Sequence, residues 1–434
     1  MSTQRSHGLG AGEGRFRSLW SATAVPPPVT ERLDGSHTVD VLIIGGGFTG
    51  LSTALHLAEA GVSACVLEAE EPGWGASGRN GGQVIPGLKY DPKALIDMYG
   101  AERAEPLIDL IGSAADTVFD LIEKYRIDCQ PVRKGWIQPA HTPALLGSLH
   151  ERAAQWRERG APVELLDRDQ MAARLGTQAF AGGWVDLRAG SIHPLNYVRG
   201  LVAAATGAGA RVYGQARVSS LKRVNDTWEA TTERGGRVRA RHVVLGTNGY
   251  TDRLWPRLSR TVLAANSFIV ATRPLSPELD RQILPGLEVA SDSRRLLLYF
   301  RKDSQGRFVL GGRGPTSDPD SAADWAHLIR SAERLYPALK GLEFEYRWAG
   351  RVAITRDFMP HVHEPAPGVT IAMGYNGRGI AMATQLGRAI AQRIAVGKSL
   401  PYPVSPIRPV PLHRLRHLYI GLGVAYYGLM DALA

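Results

Sequence analysis

The sequence contains little cysteine, since only Cys65 and Cys129 occur among its 434 residues. Two cysteines cannot build the disulfide framework of a small secreted protein, and Cys65 falls on a strand that we predict to be buried. Residues 1–36 also lack the continuous apolar core of a signal peptide. These absences favour a reducing compartment, and we expect the protein in the cytoplasm.

The sequence also lacks a lysine-rich run that alternates with aromatic residues. Lys and Arg outnumber Asp and Glu by 51 to 41, a net charge of +10 that could attract nucleic acid or an anionic membrane. Because the arginines are scattered, we interpret the charge as a solvated basic surface and expect no nucleic-acid partner. The length exceeds one compact core and indicates two intertwined domains.

The most informative stretch runs from residue 41 to residue 68. Residues 41–44 predict a buried strand, residues 51–60 a helix, and residues 63–67 a second strand that ends at an acid, Glu68. Between the first strand and the helix lies a G-x-G-x-x-G motif, formed by Gly45, Gly47, Phe48, Thr49 and Gly50 with their neighbour at position 46.

Each part of this unit has a chemical reason. Gly45 permits a tight turn, Gly47 lets the backbone approach a pyrophosphate, and Gly50 lets the helix pack on the strand. The helix N-terminus offers free N–H groups to phosphates. Glu68 can accept hydrogen bonds from a ribose diol and would repel a 2′-phosphate. The unit therefore predicts a dinucleotide site.

Two further glycine-rich segments follow strands. Five glycines lie between residues 73 and 83, where Ser77, Arg79 and Asn80 could hold a diphosphate or the face of a ring system. A flexible surface linker is the alternative. Residues 374–379 lie between a strand at 369–373 and a helix whose N-terminus could stabilise developing negative charge. Glycines that merely allow helix–strand packing are the alternative there.

The remaining patterns outline the rest of the chain. We predict one helix over 94–126 and further helices over 143–159, 169–175, 195–207 and 321–335. Residues 212–221, 228–232 and 243–245 read as strands, with a hairpin turn at Gly235-Gly236. Strand signals at 268–270, 296–300 and 308–310 predict an antiparallel sheet. For His193, which precedes a proline, we expect a structural role rather than a catalytic one.

Both termini differ in composition from the middle of the chain. Residues 1–36 predict a flexible start and then an extended arm that carries Trp20. Residues 411–434 begin with basic residues and continue with an uncharged run, residues 418–430, that is too short to span a bilayer. We expect a packing or oligomer helix, with peripheral membrane contact as the alternative.

Several of these motifs together resemble one known superfamily, the flavin-dependent amine and D-amino acid oxidases, which include sarcosine and glycine oxidases. The resemblance rests on residues 40–50 with Glu68, the loop at 75–83, residues 216–218, residues 243–248 and the turn at 374–379. The loop and the basic tail are most similar to the γ-glutamylputrescine oxidase branch, whose activity belongs to polyamine catabolism.

The resemblance implies an α/β plus antiparallel β fold, in which a Rossmann-like FAD-binding domain is interleaved with a mixed-sheet substrate domain of the D-amino acid oxidase type. The expected FAD-binding segments are 37–125, 191–255 and 345–400. The expected substrate-domain segments are 126–190 and 256–344. Residues 1–36 would form a flexible arm, and residues 401–434 a basic, apolar tail helix.

The resemblance also implies roles for individual residues. Besides the first glycine motif, Glu68 would bind the adenosine ribose, Val218 would contact adenine through its backbone, and the turn at 377–380 would lie near the pyrimidine oxygen of the flavin. The other expected cofactor contacts are Ala76, Ser77, Arg79, Asn80, Gly81, Gly82, Gln83, Thr247, Gly350, Gly374, Asn376, Gly377, Arg378, Gly379 and Ile380. The expected substrate-facing residues are Gln83, Tyr299, Trp348 and Asn376, and we assign no metal ligand.

Three departures from the family pattern refine this interpretation. Val352 stands where some sarcosine oxidases attach FAD to a cysteine, and Arg79 stands where other relatives attach it to a histidine, so we predict non-covalent FAD. Ala381 stands where sarcosine oxidases carry a lysine that holds the substrate carboxylate. This change favours an amine whose carboxylate, if it has one, is distant from the reacting bond.

The implied reaction is oxidation of an amine C–N bond by hydride transfer to flavin N5, followed by hydrolysis of the imine to an aldehyde and reoxidation of the flavin by O2. Three alternatives stay open: a membrane-associated dehydrogenase that passes electrons to quinone, an NAD-dependent dehydrogenase, and a flavin-binding sensor without turnover. The sequence leaves the amine, the electron acceptor and the choice between monomer and homo-oligomer undetermined.

Overall fold

The computed structural model describes residues 17–314 and 317–433. The helices in this part of the chain are α1 (Leu19–Thr23), α2 (Phe48–Glu59), α3 (Pro92–Tyr99), α4 (Ala101–Gly112), α5 (Ala114–Lys124), α6 (Leu146–Arg157), α7 (Arg168–Leu175), α8 (Pro194–Gly207), α9 (Pro277–Gln282), α10 (Ala326–Leu335), α11 (Gly379–Val396) and α12 (Arg416–Leu433). The strands are β1 (Ser36–Ile44), β2 (Ala64–Leu67), β3 (Gln83–Val84), β4 (Trp136–Pro139), β5 (Val163–Leu166), β6 (Gly183–Asp186), β7 (Gly190–Ser191), β8 (Arg211–Tyr213), β9 (Val218–Val224), β10 (Thr227–Thr232), β11 (Arg237–Leu245), β12 (Leu263–Pro274), β13 (Val289–Ser291), β14 (Tyr299–Lys302), β15 (Arg307–Arg313), β16 (Tyr346–Ile354), β17 (His361–Ala366) and β18 (Val369–Met373).

The first sheet is built around β1. Strands β18, β11, β1, β2 and β8 run parallel in that order, and β17 adds an antiparallel edge. The hairpin β9–β10 pairs antiparallel with the first half of β11. Residues 41–44 are buried and contribute alternately to two apolar clusters, because helices or loops cover both faces of the sheet.

The helix that follows β1 lies against the last long helix of the core. The hydroxyl of Ser52 on α2 donates a hydrogen bond of 2.7 Å to the carbonyl of Thr384 on α11. A Cβ atom at Gly387 would lie 2.6 Å from the carbonyl oxygen of Thr49. Glycine at this crossing therefore lets two helices from opposite ends of the chain pack closely over β1.

The second sheet has the order β16-β12-β15-β14-β13-β4-β6-β5 and is antiparallel except between β13 and β4. Phe268, Phe300, Phe308 and Trp325 fill one of its faces beneath α10. The two sheets confirm the predicted fold class of a Rossmann-like unit combined with a mixed, mainly antiparallel sheet. The predicted third parallel strand and the Gly235-Gly236 turn are also confirmed.

The structure corrects four local predictions. Residues 94–126 form three helices rather than one, since the chain breaks at Gly100, where φ is +75°, and at Ser113. Residues 212–221 are divided between β8 and β9, which lie in different parts of the first sheet. Residues 296–298 precede β14 instead of joining it, because the Asp292 carboxylate accepts the N–H groups of Arg294 and Leu298 and so closes a loop there.

The fourth correction concerns the N-terminal segment, of which residues 1–16 lie outside the described residues. Trp20 is on the short helix α1, and it is buried rather than carried on an extended arm. Its indole N–H donates to the carbonyl of Asn80 over 2.7 Å. Residues near the start of the chain thus support the second glycine-rich loop.

The predicted domain segments stay a prediction, but one strand falls outside the sheet expected for it. β16 pairs with β12 from Leu263↔Ile354 to Ala271↔Tyr346, so it belongs to the second sheet. The segment 345–400 therefore begins in the sheet that we expected for the substrate domain. Both cysteines are buried and unbonded, with Cys65 on β2 as predicted. In the described ranges, the helices are too short or too polar to cross a bilayer.

Candidate active site

A cavity of about 2870 Å³ lies between the carboxyl ends of the parallel strands and the exposed face of the second sheet. Small-molecule sites usually enclose roughly 300–1,000 Å³, so this volume can hold a dinucleotide together with a second molecule. Most residues predicted for the site line it: Gly45, Gly47, Phe48, Thr49, Glu68, Ala76, Ser77, Arg79, Asn80, Gly81, Gln83, Val218, Thr247, Tyr299, Gly350, Asn376, Gly377, Arg378, Gly379 and Ile380. Gly50, Gly82, Trp348 and Gly374 lie behind its wall.

The turn after β1 forms one end of the cavity and admits only small residues. Gly45 has a φ of +110°, and a Cβ atom there would lie 3.0 Å from the carbonyl oxygen of Gly246. A Cβ atom at Gly50 would collide with the carbonyl oxygen of Gly45. Helix α2 begins directly after Gly47, which has no side chain to cap it, and the N–H of Phe48 donates to the hydroxyl of Ser77 over 3.1 Å. Phe48 and Thr49 at this helix start line the cavity. Its positive end therefore faces the cavity, as a pyrophosphate site requires.

Glu68 lies beside this turn at the end of β2. Its carboxylate accepts the N–H of Gly46 over 2.6 Å and that of Glu70 over 3.0 Å. Burial raises the pKa of Glu68, and these backbone donors partly oppose the rise. A ribose diol would add O–H donors that favour the ionised carboxylate. The glycine turn, the helix end and this acid fit the adenosine diphosphate half of FAD.

The loop at 73–83 is held by its own side chains. The Asn80 amide donates to the carbonyls of Ala76 and Ser77 and accepts the N–H of Gly82. The Arg79 side chain donates to the carbonyl of Trp74 and lies over its ring. The structure thus uses Asn80 and Arg79 to fix the backbone, while the glycines leave room beside it.

Three of the four predicted substrate-facing side chains form hydrogen bonds within the protein. Trp348 is buried, and its indole N–H donates to the carbonyl of Arg79 over 2.9 Å. Gln83 donates to the carbonyls of Ala290 and Phe300. Asn376 accepts the N–H of Thr355 over 2.9 Å and donates to the carbonyl of Gly374. Gln83 and Asn376 still line the cavity, but their polar groups are engaged.

Tyr299, the fourth predicted substrate-facing residue, lines the cavity. Its hydroxyl pairs with Ser267 over 2.8 Å, and its ring occupies the space left by Gly81 and Gly311. Burial raises the pKa of Tyr299, so the phenol is neutral at physiological pH. Tyr299 therefore lies where the second sheet meets the loop at 73–83.

The turn at 374–379 completes the wall between the two ends of the cavity. Gly377 has a φ of +92°, and no atom lies within 4 Å of a Cβ atom built there. Helix α11 starts at Gly379 and has no side-chain cap. Arg378 donates to the carbonyl of Pro86 over 2.8 Å, and burial together with the nearby Arg152 lowers its pKa to about 9. The N–H groups at this helix end are oriented to stabilise negative charge.

His193 has the structural role that the sequence predicted. Its Nδ1 accepts the N–H of Asn196 and so caps α8, while its Nε2 lies 3.1 Å from the hydroxyl of Thr23. Burial and the nearby Arg301 lower the pKa of His193 to about 4. The neutral ring packs against Trp20, which in turn supports the loop at 73–83.

The sequence did not indicate that helix α12 covers the cavity and forms its roof. Helix α12 contributes Arg416, Tyr419, Ile420, Val424 and Tyr427 to the lining. The helix is attached at both ends: His413 donates to the carbonyl of Val262 over 3.1 Å, and the Asp431 carboxylate accepts the N–H groups of residues 295 and 296 at 3.1 and 2.9 Å. The tail therefore packs as predicted, but the surface that it packs on is the cavity.

The family model described as DAO, FAD dependent oxidoreductase, matches residues 40–393 of the chain. The chain is 31% identical to the gamma-glutamylputrescine oxidoreductase of Escherichia coli (strain K12), over 96% of this chain and 98% of that protein. Its fold is similar to the crystal structure of glycine oxidase from Geobacillus kaustophilus, with a TM-score of 0.73, 23% identity and coverage of 86% and 99%. L-Proline dehydrogenase from P. horikoshii is also similar, with a TM-score of 0.70, 19% identity and coverage of 84% and 96%.

Proposed function

Because the chain belongs to the DAO family of FAD-dependent oxidoreductases, we propose that it oxidises the C–N bond of an amine to an imine, which water hydrolyses to an aldehyde. The observation that carries this proposal is the chemistry of the cavity floor. The floor is formed by lining residues of β12, β14, β15 and β16, which include arginine, tyrosine, serine and asparagine but no carboxylate and no imidazole. Elsewhere in the lining, Asp292 pairs with Arg294, and His413 donates to the carbonyl of Val262. Removal of a C–H proton would need such a base, whereas hydride loss from a neutral amine does not.

The charge of the floor also favours the reactive form of the substrate. An alkylammonium group resembles lysine, with a pKa near 10, and must lose a proton before it can give up a hydride. Arg351 lines the same floor, and a like charge lowers the pKa of a bound ammonium group. When bound, FAD supplies the two-electron acceptor for this oxidation.

The residues of the chain then orient and enclose the amine. Tyr299 and Ser267 provide a neutral hydroxyl pair next to the loop at 73–83. The start of α11 provides N–H groups for the charge that develops on the cofactor. Ala381 is buried in the first turn of α11 and offers no cation for a carboxylate there. We therefore propose an extended amine such as γ-glutamylputrescine, with turnover in the cytoplasm as part of polyamine catabolism.

The first experiment is an absorption spectrum of the purified protein before and after acid precipitation, followed by anaerobic addition of amines. We expect flavin that is released into the supernatant, which would establish non-covalent FAD. Among γ-glutamylputrescine, putrescine, sarcosine and glycine, we expect the first to bleach the flavin fastest. Flavin absorbance that none of these or other primary and secondary amines changes would contradict the proposal.

We propose O2 as the electron acceptor, with quinone at a membrane as the second candidate. The quinone candidate rests on α12, where Leu422 and Tyr426 are 64% and 59% exposed and which follows the basic residues 414 and 416 in the chain. Peroxide formed in equal amount to aldehyde would support O2. Flotation of the protein with anionic liposomes, together with faster reoxidation by a soluble quinone than by O2, would replace it with the second candidate.

A further inference from the structure

Arg313 has a position that the proposed oxidation does not yet use. It is the last residue of β15 and pairs across the strands with Ser267 of β12. The hydroxyl groups of Ser267 and Tyr299 form a hydrogen bond. Tyr299 also pairs across the strands with Gly311, two residues before Arg313. Side chains two residues apart on a strand share a face, so Arg313 lies on the cavity face, where it lines the floor.

The guanidinium group of Arg313 differs from those of Arg294 and Arg351, two other arginines that line the cavity, in having no partner. Arg294 pairs with Asp292, and Arg351 has Asp318 at 3.4 Å. Within the described residues, the Arg313 side chain makes no ion pair and donates no hydrogen bond to a protein group. Burial lowers the pKa of Arg313, yet an arginine stays charged in proteins. A half-buried cation without a partner is costly unless a ligand supplies the anion.

The spacing along β15 indicates where that anion would lie. A Cβ atom at Gly81 in the loop at 73–83 would lie 2.6 Å from the Tyr299 ring. Tyr299 and Gly311 therefore lie on the cofactor side of the floor. Two residues of antiparallel strand advance about 7 Å. The Arg313 backbone is therefore displaced by that distance from the cofactor side, and its long side chain can reach further.

We propose that Arg313 is the specificity-determining residue that binds a carboxylate of the substrate, remote from the C–N bond that is oxidised. The substrate class is then an amine with an anionic group several bonds from the reacting carbon. This inference rests on the proposed function for its substrate, but the carboxylate site can be measured without turnover. A planar guanidinium and a carboxylate form two parallel hydrogen bonds, which select against a neutral end group.

The test compares two acylated amines of equal length, N-glutarylputrescine, which carries a carboxylate, and N-valerylputrescine, which does not. We expect the FAD-loaded protein to prefer the first by about 10–100-fold in kcat/KM, mainly through KM, since one charged hydrogen-bonded contact has that value. Arg313→Gln should abolish the preference by weakening only the glutaryl compound, and Arg313→Lys should restore part of it. Arg330→Gln, which removes the same charge from the exposed side of α10, is the matched control.

Binding without turnover separates this inference from the proposed function. Glutarate should perturb the flavin spectrum of the wild-type protein and should do so at least tenfold more weakly in Arg313→Gln. If glutarate binds in this way but no amine bleaches the flavin, the carboxylate site stands and amine oxidation falls. If amines bleach the flavin and the two acylated amines react equally in the wild type, Arg313 loses its proposed role. That wild-type comparison decides the matter even if Arg313→Gln fails to retain FAD.

Discussion

The two ends of the cavity are formed by different kinds of chemical group. At the dinucleotide end, backbone groups and glycines form the site, and even its side chains mostly hold the backbone, as Asn80 does. At the substrate end, side chains from strands far apart in the chain, such as Ser267, Tyr299 and Arg313, meet on one sheet face. The first end depends on space for the backbone, whereas the second depends on which functional groups converge.

The largest effect should come from filling space at the dinucleotide end. Gly50→Ala places a Cβ atom against the carbonyl oxygen of Gly45, which backbone cannot avoid. We expect a protein that purifies without flavin or does not fold, measured as flavin per chain after gel filtration. Gly147→Ala is the control, because that helical glycine has no atom within 4 Å of a Cβ and should gain stability of up to about 1 kcal/mol.

A second large effect concerns His193, which supports the loop at 73–83 through Trp20. The pKa of His193 is about 4 when folded, against about 6.5 when unfolded, so the unfolded chain binds more protons between these values. Stability should therefore be complete above pH 6.5 and fall by up to about 3 kcal/mol as the pH drops to 4. His193→Asn keeps a capping acceptor and should reduce this dependence in urea unfolding at several pH values. An equal slope in both proteins would contradict the assignment.

A more selective change removes charge from the dinucleotide end. Glu68→Gln replaces an acceptor of two backbone N–H groups by an amide that can also donate, so we expect FAD to bind about 10–100-fold more weakly. Flavin fluorescence during titration measures this affinity. Glu278→Gln on the exposed helix α9 removes the same charge and should leave the affinity unchanged. Equal affinities of all three proteins would show that Glu68 does not bind the cofactor.

Filling space at the substrate end should impair amine oxidation rather than flavin binding. Gly311→Ala would displace the Tyr299 ring, since a Cβ atom there overlaps it. Because the displaced ring lines the substrate end, we expect kcat/KM for the amine to fall while flavin content is retained, with a loss of about 1–3 kcal/mol in stability from overpacking. Loss of flavin with unchanged amine kinetics in the remaining holoenzyme would reverse the distinction between the two ends.

The smallest effect should come from the roof. Asp431→Ala removes an acceptor of two backbone N–H groups, and we expect faster proteolysis within residues 416–433 and a few-fold rise in KM. Asp226→Ala in the exposed β9–β10 turn is the control. A KM and a cleavage pattern equal to those of the wild type would show that α12 is not held by this contact.

The difference between the two ends also explains what the sequence could predict. The spacing of Gly45, Gly47 and Gly50 carries its own context of strand, turn and helix, and the structure brings those residues to the cavity. Side-chain contacts were harder to predict, because the partners that engage Gln83 and Trp348 are far away in the chain. For Asn376, the partner Thr355 lies on the other side of β17 and β18. A charge directly after the uncharged residues 308–312 is the one signal for Arg313. The tail helix was predicted, but not the cavity that it covers, since its two anchoring contacts join separate loops.

The central claim is that one cavity unites a flavin site with a floor for a neutral amine that carries a remote carboxylate. The most direct measurement is an anaerobic single turnover, in which one equivalent of N-glutarylputrescine is mixed with the FAD-loaded protein. We predict full bleaching of the flavin with one aldehyde formed per flavin. Binding of this amine without bleaching and without aldehyde would contradict the account.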